Sequence, residues 1–368
     1  MSAAKRSRWT RVRRVLLGGA AVLVVVVVGA AALSSDVRFV MRAAYEEARI
    51  LLRRRSLDRL VGDERIPAER RAKFRLVLEA RAYAADSLGL NAKDTYTSFS
   101  DVGRDTLLLV LTASRRTALV PYTWWYPIVG TVPYKGFFDL EQGRSAAADL
   151  AARGYDIYLR PSAAFSTLGW FNDPLLSTAL RGDPTLLVEL VVHEIAHNTL
   201  YVPSATPFNE SFAMFVGYRG AEAFFASRGD TVLAERAARI WRDQLRLAAF
   251  YSALTLELED LYASGLDEVE VLSRRDSVFA TARERLRGPL AEELDAFDGK
   301  QLAERPLNNA SVLAARIYMS DLEVFDRALV RFGGDLRATV AAMRDAVAAR
   351  EGLDPFAVVR ELADRGAA

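Results

Sequence analysis

Apolar positions recur at helical spacing along most of this chain, and a few short runs break the period. From Asp36 to about Ala85, Arg and Glu alternate with aliphatic residues, with few breakers besides Gly62 and Pro67. That pattern predicts helix with a solvated, arginine-rich face. Around Leu88–Asp101 turn-formers and aromatics take over. Thr106 to Thr112 reads TLLLVLT, a continuous apolar run of the length and type that suits a buried strand. Pro, Gly and aromatic residues crowd positions 121–136 and predict an irregular, partly extended path. Glu141–Arg153 returns to the helical period, and Tyr155–Leu159 alternates with period two, as a half-buried strand does.

A loop at Ala164–Phe171 leads to the stretch 190–217, LVVHEIAHNTLYVPSATPFNESFAMFVG. Its first part predicts a helix and Pro203–Pro207 a break. Thr206 suits the N-cap of the next helix and Pro207 its first position, with the helix running to about Ala226. Val232–Ala263 and Asp267–Phe297 read as two long helices joined at Ser264-Gly265, an antiparallel hairpin. Asn308–Phe332, Leu336–Ala349 and Pro355–Asp364 are three further amphipathic helices. The predicted fold class is α+β, mainly α, with a small sheet beside the helix that carries HEIAH.

The chemistry concentrates in that helix. The only two histidines of the 368-residue chain are His193 and His197, both in HEIAH. Residues four apart stack on one helix face, so two neutral imidazoles can converge on one tetrahedral ion, Zn²⁺ being the usual one. Glu194 is placed to act as general base in a metal-assisted hydrolysis. Glu210, in the first turn of the next helix, is the expected third ligand. Two His and one Glu leave a fourth position open, as in a catalytic rather than a structural zinc site. Asn209 would orient the site from behind the ligands. The competing readings are a pair of satisfied core histidines, and a Glu210 that merely stabilises a helix N-terminus. Ser166 is excluded as a nucleophile because no spare histidine exists to activate it.

HEIAH followed by NESFA resembles the gluzincins, zinc peptidases whose third ligand is a Glu on a later helix. NESFA is similar to the Asn-Glu-Gly-Phe-Ala segment of the aminopeptidase N group. A closer resemblance is to a bacterial family of membrane-associated aminopeptidases. It runs from about Tyr96 to Phe225 through WWYPIVGTVPYKGFF, GYDIY, AFSTLGWFNDPLLST, HEIAH and FNESFA, with an echo at Pro306–Ala310. The resemblance implies a gluzincin-like catalytic core at about 96–228, followed by a helical C-terminal part at about 229–368. It also implies peptide substrates and a strand before the active-site helix that presents the substrate backbone. Gluzincins often set a Tyr or His across the zinc to stabilise the oxyanion. With no third histidine, Tyr318 is the candidate and Tyr201 the next, while Tyr134 is the candidate for the substrate groove. Three departures matter. Met214 stands where thermolysin-like gluzincins have Asp, the 12 residues between His197 and Glu210 are fewer than is usual in the aminopeptidase N group, and the Gly-x-Met-x-Asn element that serves amine capture in that group is absent. An endopeptidase therefore stands beside the aminopeptidase, as does a non-catalytic membrane-anchored binding or assembly protein with a structural zinc.

Composition sets the remaining bounds. With 51% hydrophobic residues the chain can bury a substantial core, and a net charge of +2 gives no nucleic-acid footprint. The sequence contains no cysteine, which excludes disulfides, thiolate zinc sites and lipid attachment at an N-terminal cysteine. Residues 1–14 carry Lys5, Arg6, Arg8, Arg11, Arg13 and Arg14 without an acid, and Val15–Leu33 has no charge. That is about the length of a bilayer span. The expectation is a cytoplasmic tail at 1–14, an anchor at 15–34 and a zinc peptidase domain at 35–368. This places a single-pass protein in the bacterial cytoplasmic membrane, with its domain on the periplasmic side. A cleavable signal is the alternative.

Overall fold

The computed structural model describes residues 35–126, 130–162 and 174–364. They divide into two units, one ending at Leu52 and one beginning at Arg53. In the first, α1 (Ser35–Leu52) is amphipathic, and Arg42 and Arg49 pair with the buried Glu46 at 2.8 and 3.4 Å. The predicted tail and anchor, 1–34, lie outside the described residues. Among the described residues no helix is long and apolar enough to cross a membrane. Even α1 carries Arg38, Arg42, Glu46, Glu47 and Arg49 along its length. This corrects the expectation of a membrane-associated protein, with the membrane as partner and a single-pass, periplasm-facing placement.

The second unit opens with β1 (Arg55–Ser56), α2 (Leu57–Val61) and α3 (Ala68–Asp86). The strands β2 (Ser98–Ser100), β3 (Leu108–Ser114), β4 (Trp124–Tyr126), β5 (Gly130–Val132) and β6 (Lys135–Phe137) follow. Helix α4 (Leu140–Ala152) then leads to β7 (Asp156–Ser162) and β8 (Leu175–Leu176). Three small sheets result among the described residues: β1-β2-β8, β6-β3-β7 and the β4-β5 hairpin. In the second of these, β3 and β7 run antiparallel with Leu108 opposite Ser162 and Ser114 opposite Asp156, which leaves β7 at the sheet edge.

The rest is helical: α5 (Pro184–Thr199), α6 (Thr206–Ser227), α7 (Thr231–Tyr262), α8 (Glu268–Arg287), α9 (Pro289–Glu293), α10 (Gly299–Glu304), α11 (Asn309–Tyr318), α12 (Leu322–Arg331), α13 (Leu336–Ala348) and α14 (Pro355–Asp364). The unit is thus mainly helical with small mixed sheets, as the periodicity predicts. Three of the boundaries that differ have a local cause. The helix expected over 267–297 ends at Arg287, because Pro289 lacks the N–H to continue the ladder. The following loop is tied instead to the buried Asp243, which accepts from the N–H groups of Asp295, Ala296 and Phe297. The helix expected over 308–332 breaks at Met319–Asp321, where Asp321 turns left-handed with φ 47°. Thr206 and Pro207 are the first two helical residues of α6, and Ala205, not Thr206, holds the cap position.

Helix α5 runs through the core. Leu187, Val188, Val191, Val192, Ile195 and Ala196 are all buried. Phe208, Phe212 and Phe215 of α6 pack on Phe325 of α12. Burying side chains of this size contributes roughly 1.5–3 kcal/mol each. What remains of α5 outside the core is the face that carries both histidines.

Candidate metal centre

Local signals set α5 in place. The Asp183 carboxylate caps it by accepting from the Leu186 N–H at 3.0 Å, and Pro184 takes the first position. Arg236 holds that carboxylate from the far side at 2.7 Å. The helix ends at Leu200, and the chain reverses through Ser204, whose φ is 62°. Asn209 closes this turn like a staple. Its Oδ1 accepts from the Val202 N–H and its Nδ2 donates to the Val202 carbonyl, both at 2.8 Å. The first turn of α6 is thereby brought back over α5, with Glu210 facing the histidines.

Three donor atoms meet there. His193 Nε2 and His197 Nε2 are 3.2 Å apart, and each is 3.6 Å from an oxygen of Glu210. Tetrahedral bonds of about 2.0–2.1 Å imply ligand–ligand edges of roughly 3.3 Å. The three atoms therefore have the spacing of three corners of a zinc coordination shell. No other arrangement of at least three His and acidic groups of this kind occurs among the described residues. The donor set, two imidazoles and one carboxylate, also suits zinc.

Charge follows the same geometry. Burial works against a proton on His193, yet its contact with Glu210 and the charges of Glu189 and Glu194 outweigh that and raise its pKa. His197 goes the other way, held down by burial and by the neighbouring charge of His193. Glu210 stays below the usual carboxylate range: burial opposes ionisation, but His193, His197 and Arg160 overcome it. Imidazole protons at this spacing are the groups a metal ion would displace.

The surrounding residues come from distant parts of the chain. Tyr318 ends α11, and its carbonyl accepts from Ser211 Oγ at 3.1 Å, one residue past Glu210. Ser320 N–H donates to the same Ser211 oxygen at 3.2 Å. Burial raises the Tyr318 hydroxyl pKa, and the charges of Glu210 and Glu194 add to it. Tyr134 is raised by burial and further by Tyr318, Glu210 and Tyr201, which sets all three tyrosines within electrostatic reach of one centre. Tyr201 is 58% exposed.

Two residues that the sequence reading did not single out join them. Glu189 Oε1 lies 3.7 Å from His193 Nδ1, and burial raises its pKa to about 7 against the pull of His193. It stands one turn before His193 on the same helix face, the one signal that would have found it. Arg160, on β7, donates from Nη2 to the Tyr318 hydroxyl at 3.4 Å. His197 Nδ1, in contrast, is buried with no hydrogen-bond partner among the described residues. A separate open cavity of about 380 Å³ is lined by Asp156, Arg275, Asp276 and Arg283, far along β7 from Arg160. Arg275 pairs there with Asp156 and Asp276, and none of the three donor residues reaches it.

A family profile described as "Putative aminopeptidase" matches residues 38–351 of the chain. No curated protein and no solved structure matches it.

Proposed function

The chain belongs to the putative aminopeptidase family, and on that premise we propose that it is a zinc-dependent peptide hydrolase that removes N-terminal residues. One observation carries the zinc assignment: the 3.2 and 3.6 Å spacing of His193 Nε2, His197 Nε2 and the Glu210 carboxylate. These three would hold the ion. Bound there, zinc supplies Lewis-acid polarisation of the scissile carbonyl and acidifies the attacking water.

The chain's own groups do the rest. Glu194, next to His193, takes the proton of the attacking water on its carboxylate and returns it to the leaving amine. The Tyr318 hydroxyl, kept protonated by burial and by the nearby carboxylates, donates to the developing oxyanion. Asn209 holds the turn that aims Glu210 at the histidines. Glu189 sits against His193 Nδ1 and orients that ring. Tyr134 and Tyr201 flank the approach of the substrate. In this reading residues 35–368 form the peptidase domain, with a gluzincin-like core at about 96–228 and a helical C-terminal part at about 229–368.

An endopeptidase is the second reading. Among the described residues the carboxylates around the centre, Glu189, Glu194 and Glu210, all have other tasks, so none of these is spare to capture a substrate amine. Metal analysis of purified protein tests the zinc assignment. One zinc per chain is expected in the wild type and in Glu194→Gln, with activity lost in the latter, and little zinc in His197→Ala. Full zinc in His197→Ala would refute the ligand set.

A further inference from the structure

One charged group of this site has no task in the reaction above. Arg160 lies on β7, the edge strand of its sheet, and is partly buried. Its guanidinium carbon stands 5.5 Å from the centroid of the Tyr318 ring, and its Nη2 reaches the Tyr318 hydroxyl at 3.4 Å. That is a long hydrogen bond, and among the described residues it engages one of five N–H donors. Among the described residues no carboxylate lies within ion-pair distance of Arg160. Arg275, by contrast, which also reaches β7, is held by Asp156 and Asp276. Tyr318 itself is fixed through its carbonyl to Ser211, beside Glu210. The fork of Arg160, with donors that no described residue takes up, is thus held within electrostatic reach of Glu210.

The charge balance points the same way. A divalent ion held by two neutral imidazoles is offset by Glu210 and Glu194, and Arg160, which acts on Glu210 from a distance, has no ion-pair partner of its own among the described residues. Glu189 lies on the Nδ1 side of His193, opposite Glu210, and against Gly217. A planar guanidinium with free donors matches a carboxylate in a two-pronged pair and repels an ammonium. We propose that Arg160 binds a carboxylate of the peptide substrate, which makes the enzyme selective for peptides that present a carboxylate close to the scissile bond. This rests on the reading of the centre as a zinc peptidase site. The carboxylate has two sources, an acidic side chain flanking the cleaved bond or the free C-terminus of a short peptide.

The test uses zinc-loaded full-length chain and tetrapeptides. Ala-Ala-Ala-Ala is compared with a free and an amidated C-terminus. Glu-Ala-Ala-Ala-amide and Ala-Glu-Ala-Ala-amide are compared with their Gln counterparts. kcat/KM is measured on the active enzyme, and Kd by calorimetry on Glu194→Gln, which binds without turnover. At least about a tenfold preference for the carboxylate over its amide is expected in one arm, the value of one charge-assisted pair, and that arm identifies the source. The preference should collapse in Arg160→Gln. Arg160→Lys, which keeps the charge without the fork, should retain part of it and serves if Arg160→Gln does not fold. Equal handling of carboxylate and amide by the wild type overturns the proposal. So does an Arg160→Gln protein that weakens every peptide alike, since Arg160 would then only hold Tyr318. If calorimetry shows the Arg160-dependent preference but no peptide is cut in a Glu194-dependent way, the carboxylate site stands and the peptidase reading fails. Cleavage without preference fails the carboxylate site alone.

Discussion

Helices α5 and α6 approach closely where Gly217 meets Glu189 and His193. A methyl group at Gly217 would lie 2.9 Å from Glu189 Oε1, 3.1 Å from the Glu189 carbonyl oxygen and 3.2 Å from His193 Cβ. The carboxylate can swing aside. The carbonyl and the Cβ cannot, short of moving α5 itself. Gly217→Ala should gain about 1 kcal/mol of helix propensity and lose roughly 1–3 kcal/mol to overpacking. A net loss of up to about 2 kcal/mol follows for the metal-free protein. The larger effect falls on the metal. Pushing His193 by a few tenths of an ångström spoils the spacing of its Nε2 with His197 and Glu210. A tenfold weaker zinc affinity removes about 1.4 kcal/mol of the stabilisation that saturating zinc confers. Urea unfolding with and without zinc, at fixed free zinc, separates the two terms. Gly220→Ala is the control. Its methyl would meet Val192 Cγ1 at 2.7 Å and Leu88 Cδ1 at 3.1 Å but no donor residue. It should lose stability and keep the zinc increment. A Gly217→Ala protein that is more stable than the wild type with an intact zinc increment would refute this reasoning.

Three other perturbations probe separate parts of the account. Glu189→Gln should weaken zinc binding by about 10–100-fold in a chelator competition, the usual cost of losing a carboxylate behind a metal-binding histidine. Asp243→Ala leaves three partly buried backbone N–H groups and the paired Arg246 without their buried acceptor, and should cost roughly 2–3 kcal/mol in urea unfolding. Asp183→Ala removes the cap of α5 and should cost about 1 kcal/mol near neutral pH. Burial pushes the Asp183 carboxyl up, but Arg236 and the Leu186 N–H hold it below its ordinary value. Its contribution is therefore present above the unfolded carboxylate pKa and is lost as pH falls through the folded value. The gap between wild type and Asp183→Ala should close in acid, and a gap unchanged at about pH 3 would contradict that sign.

Much of the centre can be read from local spacing. His193 and His197 are four apart on a helix with apolar neighbours, and Pro203–Pro207 announces the turn that returns Glu210. Those are short-range rules, and the distances among the three donors agree with them. Arg160 escapes such reading because its partner, Tyr318, is 158 positions away, and only the packing of α11 against β7 brings them together. The break at Met319–Asp321 escapes for a similar reason. The amphipathic period runs straight through it, and what ends α11 is the pairing of the Tyr318 carbonyl and the Ser320 N–H with Ser211. Glu189 is hidden among apolar residues of α5, where one carboxylate reads as an exposed position and not as one buried behind His193. The apolar run at 15–33 shows the opposite limit: a strong local pattern on residues the structure does not describe.

The most direct measurement incubates the zinc-loaded chain with a peptide library in free-amine and N-acetylated forms, beside Glu194→Gln, and reads the products by mass spectrometry. The account predicts loss of single N-terminal residues from the free-amine peptides alone, absent in Glu194→Gln. Internal cuts in both forms would make the enzyme an endopeptidase. No Glu194-dependent cleavage of any peptide would contradict the account.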